Sequence, residues 1–321
     1  MTAGELPISV VVPTHDRSAL LLATLDSVLA QRPPARELIV VDDGSSDDTP
    51  ERLAPLAAAG RVRYLRQDNA GLSAARNAGA RVATSEYLLF LDDDDLLVSG
   101  ALARLAAEAA RHPAAGMVCG GCLPFELEPA ALDAAPPDRW RDADPAAFLL
   151  WNRVYSAGQV LIRRDAFERA GGFDAHLSPV EDWDMWLRLL AGAGGRWSPS
   201  PTLAYRQHAG GMSRNIARMY RYSLRVARRH LARLPAERRP AYRALSYQRL
   251  RAGHVDGIVR AARADAAAGN WRRVGEAARA WGLAWAVELG ARVALKAHLL
   301  RRGRWRLPAD DDALHADARH S

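Results

Sequence analysis

The chain has 321 residues, 49% of them apolar, which is enough for one large domain or for one domain plus a smaller one, and excludes a disordered or fibrous protein. Its net charge of +7 conceals a split. Residues 1–213 carry 20 Arg against 28 Asp and Glu, a balance of −8, whereas residues 214–306 carry 22 Arg and Lys296 against 5 acids, a balance of +18, so two parts with different partners are expected.

Ile8–Pro13 is a continuous apolar run, as expected of a strand buried on both faces. Ser18 reads as the cap of a helix through Gln31, stopped by Pro33 and Pro34. Leu38–Val41 reads as a second buried strand, and Thr49 followed by Pro50 as the cap and first turn of a helix to Ala59. Val62–Leu65 is a third strand, Leu72–Arg81 a third helix and Tyr87–Leu91 a fourth strand; Ser99 then caps an Ala-rich helix ending before Pro113. This alternation predicts an α/β fold, a Rossmann-like, mostly parallel sheet with helices on both faces.

Gly116–Leu123 reads as a strand and turn holding Cys119 and Cys122; with no second Cys or His pair nearby, these are expected to be reduced structural thiols rather than zinc ligands. Residues 124–148, rich in Pro, Ala and Asp, read as a long surface loop centred on Pro136 and Pro137, with structure resuming near Trp151. Val160–Arg163 reads as a strand, Arg164–Ala170 as a short helix, Gly171-Gly172 as a turn and Trp183–Leu190 as a helix. From Ile216 onward only helical periodicity remains, and the last dozen residues read as a frayed tail. No signal peptide is expected from the first residues, and the apolar stretch 281–300 is interrupted by Glu288, Arg292, Lys296 and His298. A cytoplasmic protein is expected, with attachment at the inner face of the plasma membrane left open.

In a parallel sheet, ligands bind beyond the carboxyl ends of the strands. Those ends here are Thr14-His15-Asp16, Asp42-Asp43-Gly44-Ser45 and Asp92-Asp93-Asp94-Asp95. Four adjacent carboxylates repel one another by about 1 kcal/mol per pair at 4 Å in water, and more in a cleft, so a cation is expected to offset them. Side chains of an extended segment alternate, which would set Asp92 and Asp94 on one face, Asp92 for a ribose hydroxyl and Asp94 for Mg²⁺ or Mn²⁺. Asp42 or Asp43 can accept from a nucleobase N–H beside a turn that Gly44 permits, and Arg76, on a helix opened by the Gly71 loop, suits phosphate. A solvated acidic turn, an Asp-Gly turn and a surface arginine are the plainer readings of the same three segments.

Taken together, Ser9-Val-Val-Val-Pro13-Thr14-His-Asp16-Arg17, Leu38-Ile-Val-Val-Asp42-Asp43-Gly44-Ser45, Asn69-x-Gly71-x-x-x-x-Arg76-Asn77, Phe90-Leu-Asp92-x-Asp94-Asp95, Gly171-Gly172-Phe173-Asp174 and Glu181-Asp182-Trp183-Asp184 closely resemble the catalytic domain of glycosyltransferase family 2. The resemblance covers roughly residues 7–213. It implies a GT-A type fold and an inverting transfer of a sugar from a nucleoside-diphosphate donor, a UDP- or dTDP-sugar, to an acceptor hydroxyl, in polysaccharide or glycolipid synthesis. Pro13 and Thr14 would line the nucleoside pocket, joined on the donor side by Asp16, Arg17, Asp42, Asp43, Gly44, Asn69, Gly71, Arg76, Asp92 and Asp93. Asp94 and His208 would face the metal. Asp182 would be the general base, with Glu181 as runner-up. An acidic first turn favoured by the helix dipole is the plainer reading of that pair. The Gln-x-x-Arg-Trp element of processive synthases is absent, so one sugar per binding event is implied.

The expected organisation is a catalytic domain over 1–213, with a nucleotide-sugar half to 120 and an acceptor half over 121–213, a basic α-helical extension over 214–306 and a tail over 307–321. The extension, with Trp271, Trp281, Trp285 and Trp305 among its arginines, suits either an anionic membrane surface or a packed, dimer-forming element, and a lipid-linked as well as a carbohydrate acceptor fits. It lacks any nucleic-acid-binding signature. Two other readings stand against transfer: a sugar-nucleotide nucleotidyltransferase, whose Gly-rich loop has no counterpart at Pro13-Thr14-His15-Asp16, and a non-catalytic nucleotide- or sugar-binding module.

Overall fold

The computed structural model describes residues 4–125, 139–150, 152–207 and 216–301. The chain divides into two compact units: described residues up to Pro145 together with 153–207, and residues 146–150, Asn152 and 216–301. The stretch 146–150 thus groups with the helical unit rather than with the acceptor half in which sequence placed it. Trp151, Pro136, Pro137, His208 and the tail 307–321 lie outside the described residues.

The first unit opens with β1 (Leu6–Thr14), α1 (Ser18–Leu29), β2 (Ala35–Asp42), α2 (Thr49–Ala58), β3 (Arg63–Arg66), α3 (Leu72–Val82) and β4 (Tyr87–Phe90). It continues through β5 (Leu96–Leu97), α4 (Ala101–Arg111), β6 (Met117–Phe125) and β7 (Arg141–Asp142). After α5 (Pro145–Leu150) come β8 (Val160–Arg163), α6 (Arg164–Ala170), α7 (Glu181–Ala193) and β9 (Gly195–Arg206). The sheet order is β3-β2-β1-β4-β8-β6-β9-β5, with β7 on β9. The pairs β1–β2, β2–β3, β1–β4 and β6–β9 are parallel, while β8 lies antiparallel to both β4 and β6, and β5 and β7 antiparallel to β9. Parallel character is therefore complete only in the half made of β3, β2, β1 and β4; the other half is mixed.

The apolar runs become central strands because both faces are covered. Val10, Val12 and Val40 join a core with Leu21, Leu25, Leu102 and Leu105 of α1 and α4. Val11 and Val41 point the other way, under α3, where Gly79 permits close seating: a Cβ there would stand 2.3 Å from Val11 Cγ1. Burying side chains of this size contributes about 1.5–3 kcal/mol each.

Several boundaries differ from the sequence reading. Ser18, Thr49 and Ser99 do not cap their helices; the cap positions are Arg17, Asp48 and Gly100, none with a side-chain cap bond. Asp47 instead accepts from Ser18 N at 3.0 Å and Thr49 N at 3.1 Å, so one carboxylate serves two helix starts. The expected loop 124–148 contains β7 and the start of α5. β9, for which sequence gave no signal, is the longest strand; its prolines are accommodated where its register with β6 shifts around Gly120 and Gly121. Cys119 and Cys122 on β6 are free thiols, and burial pushes the Cys119 thiol well up from its ordinary value, with Cys122 adding in the same direction.

The second unit contains α8 (Ile216–Leu231), α9 (Arg239–Ala267) and α10 (Trp271–Arg301). α8 packs on α9 and α9 on α10. Its core uses Tyr220, Leu224, Ile258 and the alanines 277, 280, 284 and 291 of α10. No described helix is long and apolar enough to cross a membrane.

Candidate active site

The carboxyl end of β4 turns rather than extends. Asp95 N donates to Asp92 C=O at 3.2 Å, closing a β-turn over Asp92–Asp95. The expected alternation of these carboxylates is therefore not what the structure has. Asp93 and Asp94 share one guanidinium: Arg17 Nη1 donates to Asp93 Oδ1 at 3.1 Å and to Asp94 Oδ2 at 2.6 Å. Asp93 also accepts from Thr14 Oγ1 at 2.7 Å. Burial pushes Asp93 up to about 6, against the opposing pull of Arg17 and Thr14. Asp95 is buried and raised well above the carboxylate range, first by burial and then by Asp92 and Asp94; its Oδ1 accepts from Arg206 N at 3.0 Å.

Asp92 turns to other partners. Arg76 Nη2 donates to Asp92 Oδ1 at 2.5 Å while Nη1 donates to Glu181 Oε1 at 2.8 Å. Arg76 is buried, and its guanidinium stacks 5.2 Å from the Phe173 ring centroid. α3 thus brings a cation between the end of β4 and the first turn of α7. Asp92 Oδ2 accepts from Ser156 Oγ at 3.3 Å. Asn77, one residue beyond Arg76, holds Phe173 by both backbone groups, accepting from its N–H and donating to its C=O, each at 2.9 Å.

Glu181 is buried with Oε2 receiving no hydrogen bond. Its neighbour Asp182 accepts from Trp183 N at 2.6 Å. Asp182 is pushed up to about 7 by burial first and Glu181 second, with Arg76 pulling the other way. A carboxylate near that value is poised to take a proton at neutral pH.

A third group lies at the end of β2. Asp42, wholly buried, accepts from Ser45 N at 2.7 Å, Tyr64 OH at 2.6 Å and Arg66 Nη1 at 3.4 Å. Asp43 accepts from Gln67 Nε2 at 2.7 Å, Ala70 N at 2.9 Å and Gly71 N at 2.7 Å. A carboxylate has about four acceptor positions, and these bonds occupy three at each residue. Gly44, at φ +80°, lets the Asn69 loop approach, since a Cβ would stand 2.9 Å from Asn69 N. Pro13 pairs with Val41 in the β1–β2 register. Asp43 N donates to Thr14 C=O at 2.9 Å, and Asn69 Nδ2 lies 3.2 Å from His15 Nε2, which ties this group to the first. Asp16, at φ +52°, accepts from Ser46 N at 2.6 Å and Asp47 N at 3.2 Å; the first of these bonds does most to hold it below the usual range.

The structure so brings Thr14, Arg17, Asp93 and Asp94 together, and Arg76, Asp92, Glu181 and Asp182 together. Sequence reasoning passed over Ser156 and gave no role to Phe173 or Asn77, although both stand in segments that carried the family resemblance. Ser156 had no local signal, because its partner is 64 residues away.

A divalent cation was expected at Asp94 and His208. Among the described residues no three His, Cys, Asp or Glu side chains group as a closed metal cage. Mg²⁺ and Mn²⁺ need none, since one or two carboxylates with phosphate oxygens and water complete their shell. Asp94 supplies a hard oxygen of that kind, although its Oδ2 is taken by Arg17 at 2.6 Å, a bond that a cation would have to share or replace.

Known proteins share the sequence pattern and the fold. The model of "Glycosyl transferase family 2" matches residues 9–171, about half of the chain, and that of "Glycosyltransferase like family 2" matches residues 147–239. A PGL/p-HBAD biosynthesis glycosyltransferase of Mycobacterium tuberculosis is 30% identical over 187 residues, 57% of this chain and 69% of that protein. An uncharacterized glycosyltransferase of Haemophilus influenzae is 26% identical over 57% of this chain and 62% of its own length. The chain thus spans under two thirds of that relative. Among solved structures, S. aureus TarS 1-349 in complex with UDP-GlcNAc superimposes with a TM-score of 0.62 at 17% identity, over 95% of this chain and 94% of that one. The mannosyltransferase PcManGT from Pyrobaculum calidifontis in complex with GDP-Man and Mn²⁺ gives 0.55 at 21% identity, over 92% and 87%. At these identities the likeness is one of fold.

Proposed function

This chain belongs to glycosyltransferase family 2 and is therefore a sugar-transferring enzyme, and from that premise we propose that it moves one sugar, with inversion, from a nucleoside-diphosphate donor to an acceptor hydroxyl. The single observation that supports the reading most is Arg76, whose one guanidinium joins Asp92 at the end of β4 to Glu181 beside Asp182. A donor held at Asp92 and an acceptor deprotonated at Asp182 would then lie in one cleft.

The donor is a UDP- or dTDP-sugar in this reading; fold neighbours carrying UDP-GlcNAc and GDP-Man support the nucleotide-sugar class. Pro13 and Thr14 line the nucleoside site, with Asp42 or Asp43 accepting from the base and Gly44, Asn69 and Gly71 shaping the loop beside it. Asp16 and Arg17 lie on the donor side, and Asp93 holds Thr14 and Arg17 in place. Asp92 faces the ribose. Asp94, with His208, would hold Mg²⁺ or Mn²⁺, which when bound offsets the charge gathering on the departing diphosphate. Asp182, near 7, accepts the proton of the acceptor hydroxyl as that oxygen attacks the anomeric carbon; Glu181, paired with Arg76, is the runner-up for that role. The setting is cytoplasmic, in polysaccharide or glycolipid synthesis, with a carbohydrate or lipid-linked acceptor. The helical unit meets a membrane surface or a second copy.

The test is a panel of nucleotide-sugars with Mn²⁺, followed by melting temperature and then by donor hydrolysis. One nucleotide-sugar is expected to raise the melting temperature, by about 2.7 kcal/mol of stability at 100 times its Kd. No shift with any member would overturn the reading.

A further inference from the structure

α10 has two faces of opposite character. Ala277, Ala280, Ala284, Ala291 and Leu295 are buried, and this side packs on α9. The outward side carries Trp271 at 70% exposure, Leu289 at 64% and Val293 at 61%, flanked by Trp281 and Trp285, each at 45%. Large apolar side chains at this exposure recur along the helix, so they form a stripe and not scattered single residues. From Trp281 to Val293 the stripe runs roughly 18 Å at 1.5 Å per residue.

The charges on the same helix are one-sided. Arg272, Arg273, Arg279, Arg292 and Lys296 are all exposed. Its two carboxylates are both engaged: Glu288, buried, with Arg251 and with Arg292 at 2.6 Å, and Glu276 with Arg272 at 3.6 Å. Arg251 of α9 also stacks on Trp285, 4.2 Å from the ring centroid, which sets a cation beside an exposed indole. An outward face with tryptophan, leucine and valine between guanidinium groups is matched to a surface that is anionic at its boundary and apolar just beneath.

We infer that the outward face of α10 lies flat on an anionic lipid bilayer, with Trp281, Trp285, Leu289 and Val293 inserted below the headgroups and the arginines on the lipid phosphates. The inference deepens the reading given for the helical unit and chooses between its two partners. A second copy is disfavoured by charge, because a two-fold contact would set this basic face against itself. A nucleic acid would take up the arginines and leave the apolar stripe in water. Spanning is excluded for α10 by its hydropathy, so the contact is interfacial.

The experiment is co-sedimentation of the full chain with vesicles of phosphatidylcholine alone or with one quarter phosphatidylglycerol, at 0.1 M salt. Expected is at least a tenfold stronger partition onto the anionic vesicles, and at least a tenfold loss of it in the double variant Leu289→Glu, Val293→Glu. Both positions are exposed and distant in sequence from the cleft residues, so the far-ultraviolet circular dichroism and the nucleotide-sugar melting shift should remain those of the wild type. Equal partition of variant and wild type would sink the inference. So would a dimer in sedimentation equilibrium that the double variant dissociates, since the face would then belong to a second copy. Failure of every nucleotide-sugar to bind would strike the sugar-transfer reading alone and leave the vesicle result standing.

Discussion

Arg76 donates to Asp92 across 2.5 Å, although the two side chains come from a helix and a strand end that sit on different elements of the sheet unit. The same guanidinium reaches Glu181, a buried carboxylate, at 2.8 Å. That arrangement makes Arg76 the most exposed point of failure in the cleft.

Replacing it with methionine leaves a buried carboxylate unpaired. Breaking a buried pair in this way costs about 3–5 kcal/mol. Urea denaturation of Arg76→Met should show a loss of this size, with Arg76→Lys recovering part of it. A change under about 0.5 kcal/mol would show that the pair contributes little to stability.

Asp182→Asn should keep donor binding and lower transfer by about 10²- to 10⁴-fold, the range of a lost general base. In the wild type kcat/KM should fall with decreasing pH below about 7, as Asp182 takes up its proton. The sign for stability is the reverse. A carboxyl whose folded value is raised to about 7 binds protons more tightly when folded, so stability is lost as pH rises from about 4 through 7. The Asn variant escapes that loss, and melting curves should find it more stable than wild type at pH 8 and no more stable at pH 4.

Gly79→Ala tests the seating of α3. Its Cβ would meet Val11 Cγ1 at 2.3 Å and Val41 Cγ2 at 3.1 Å, so the helix must lift from the sheet. Overpacking of this kind costs about 1–3 kcal/mol. Because Arg76 and Asn77 ride on the same helix, the KM for donor should rise as well. A variant with wild-type stability and KM would show that α3 adjusts without moving its arginine.

Chelation with EDTA should abolish transfer, and Mn²⁺ or Mg²⁺ should restore it. Asp94→Asn should remove the part of the nucleotide melting shift that depends on Mn²⁺ while leaving the metal-free protein folded. If the shift survives unchanged in that variant, the cation is held elsewhere.

Much of the sheet was legible because β1, β2 and β4 are covered on both faces, and burial on both faces writes an unbroken apolar run such as Val10-Val11-Val12. The strand-end carboxylates were legible for the same reason, since they end those runs. Their directions were not. Alternation holds for an extended chain, and the bond from Asp95 N to Asp92 C=O bends this one, so that Asp93 and Asp94 share Arg17 while Asp92 goes to Arg76. Helix starts were misread where a distant carboxylate, Asp47, takes the place of the local cap. β9 gave no signal because Pro199 and Pro201 argue against a strand, and only its shifted pairing with β6 makes room for them. Contacts such as Arg76 with Glu181, 105 residues apart, leave no trace in local pattern.

The position of β8 also bears on how the chain is made. β8 fills the gap between β4 and β6, pairing Leu88 with Ile162 and Met117 with the same residue. Until residue 163 has left the ribosome, both of those earlier strands present an unsatisfied hydrophobic edge, a template for aggregation. Truncations that stop near residue 150 should therefore accumulate as insoluble material, and the nascent sheet becomes continuous only late in synthesis.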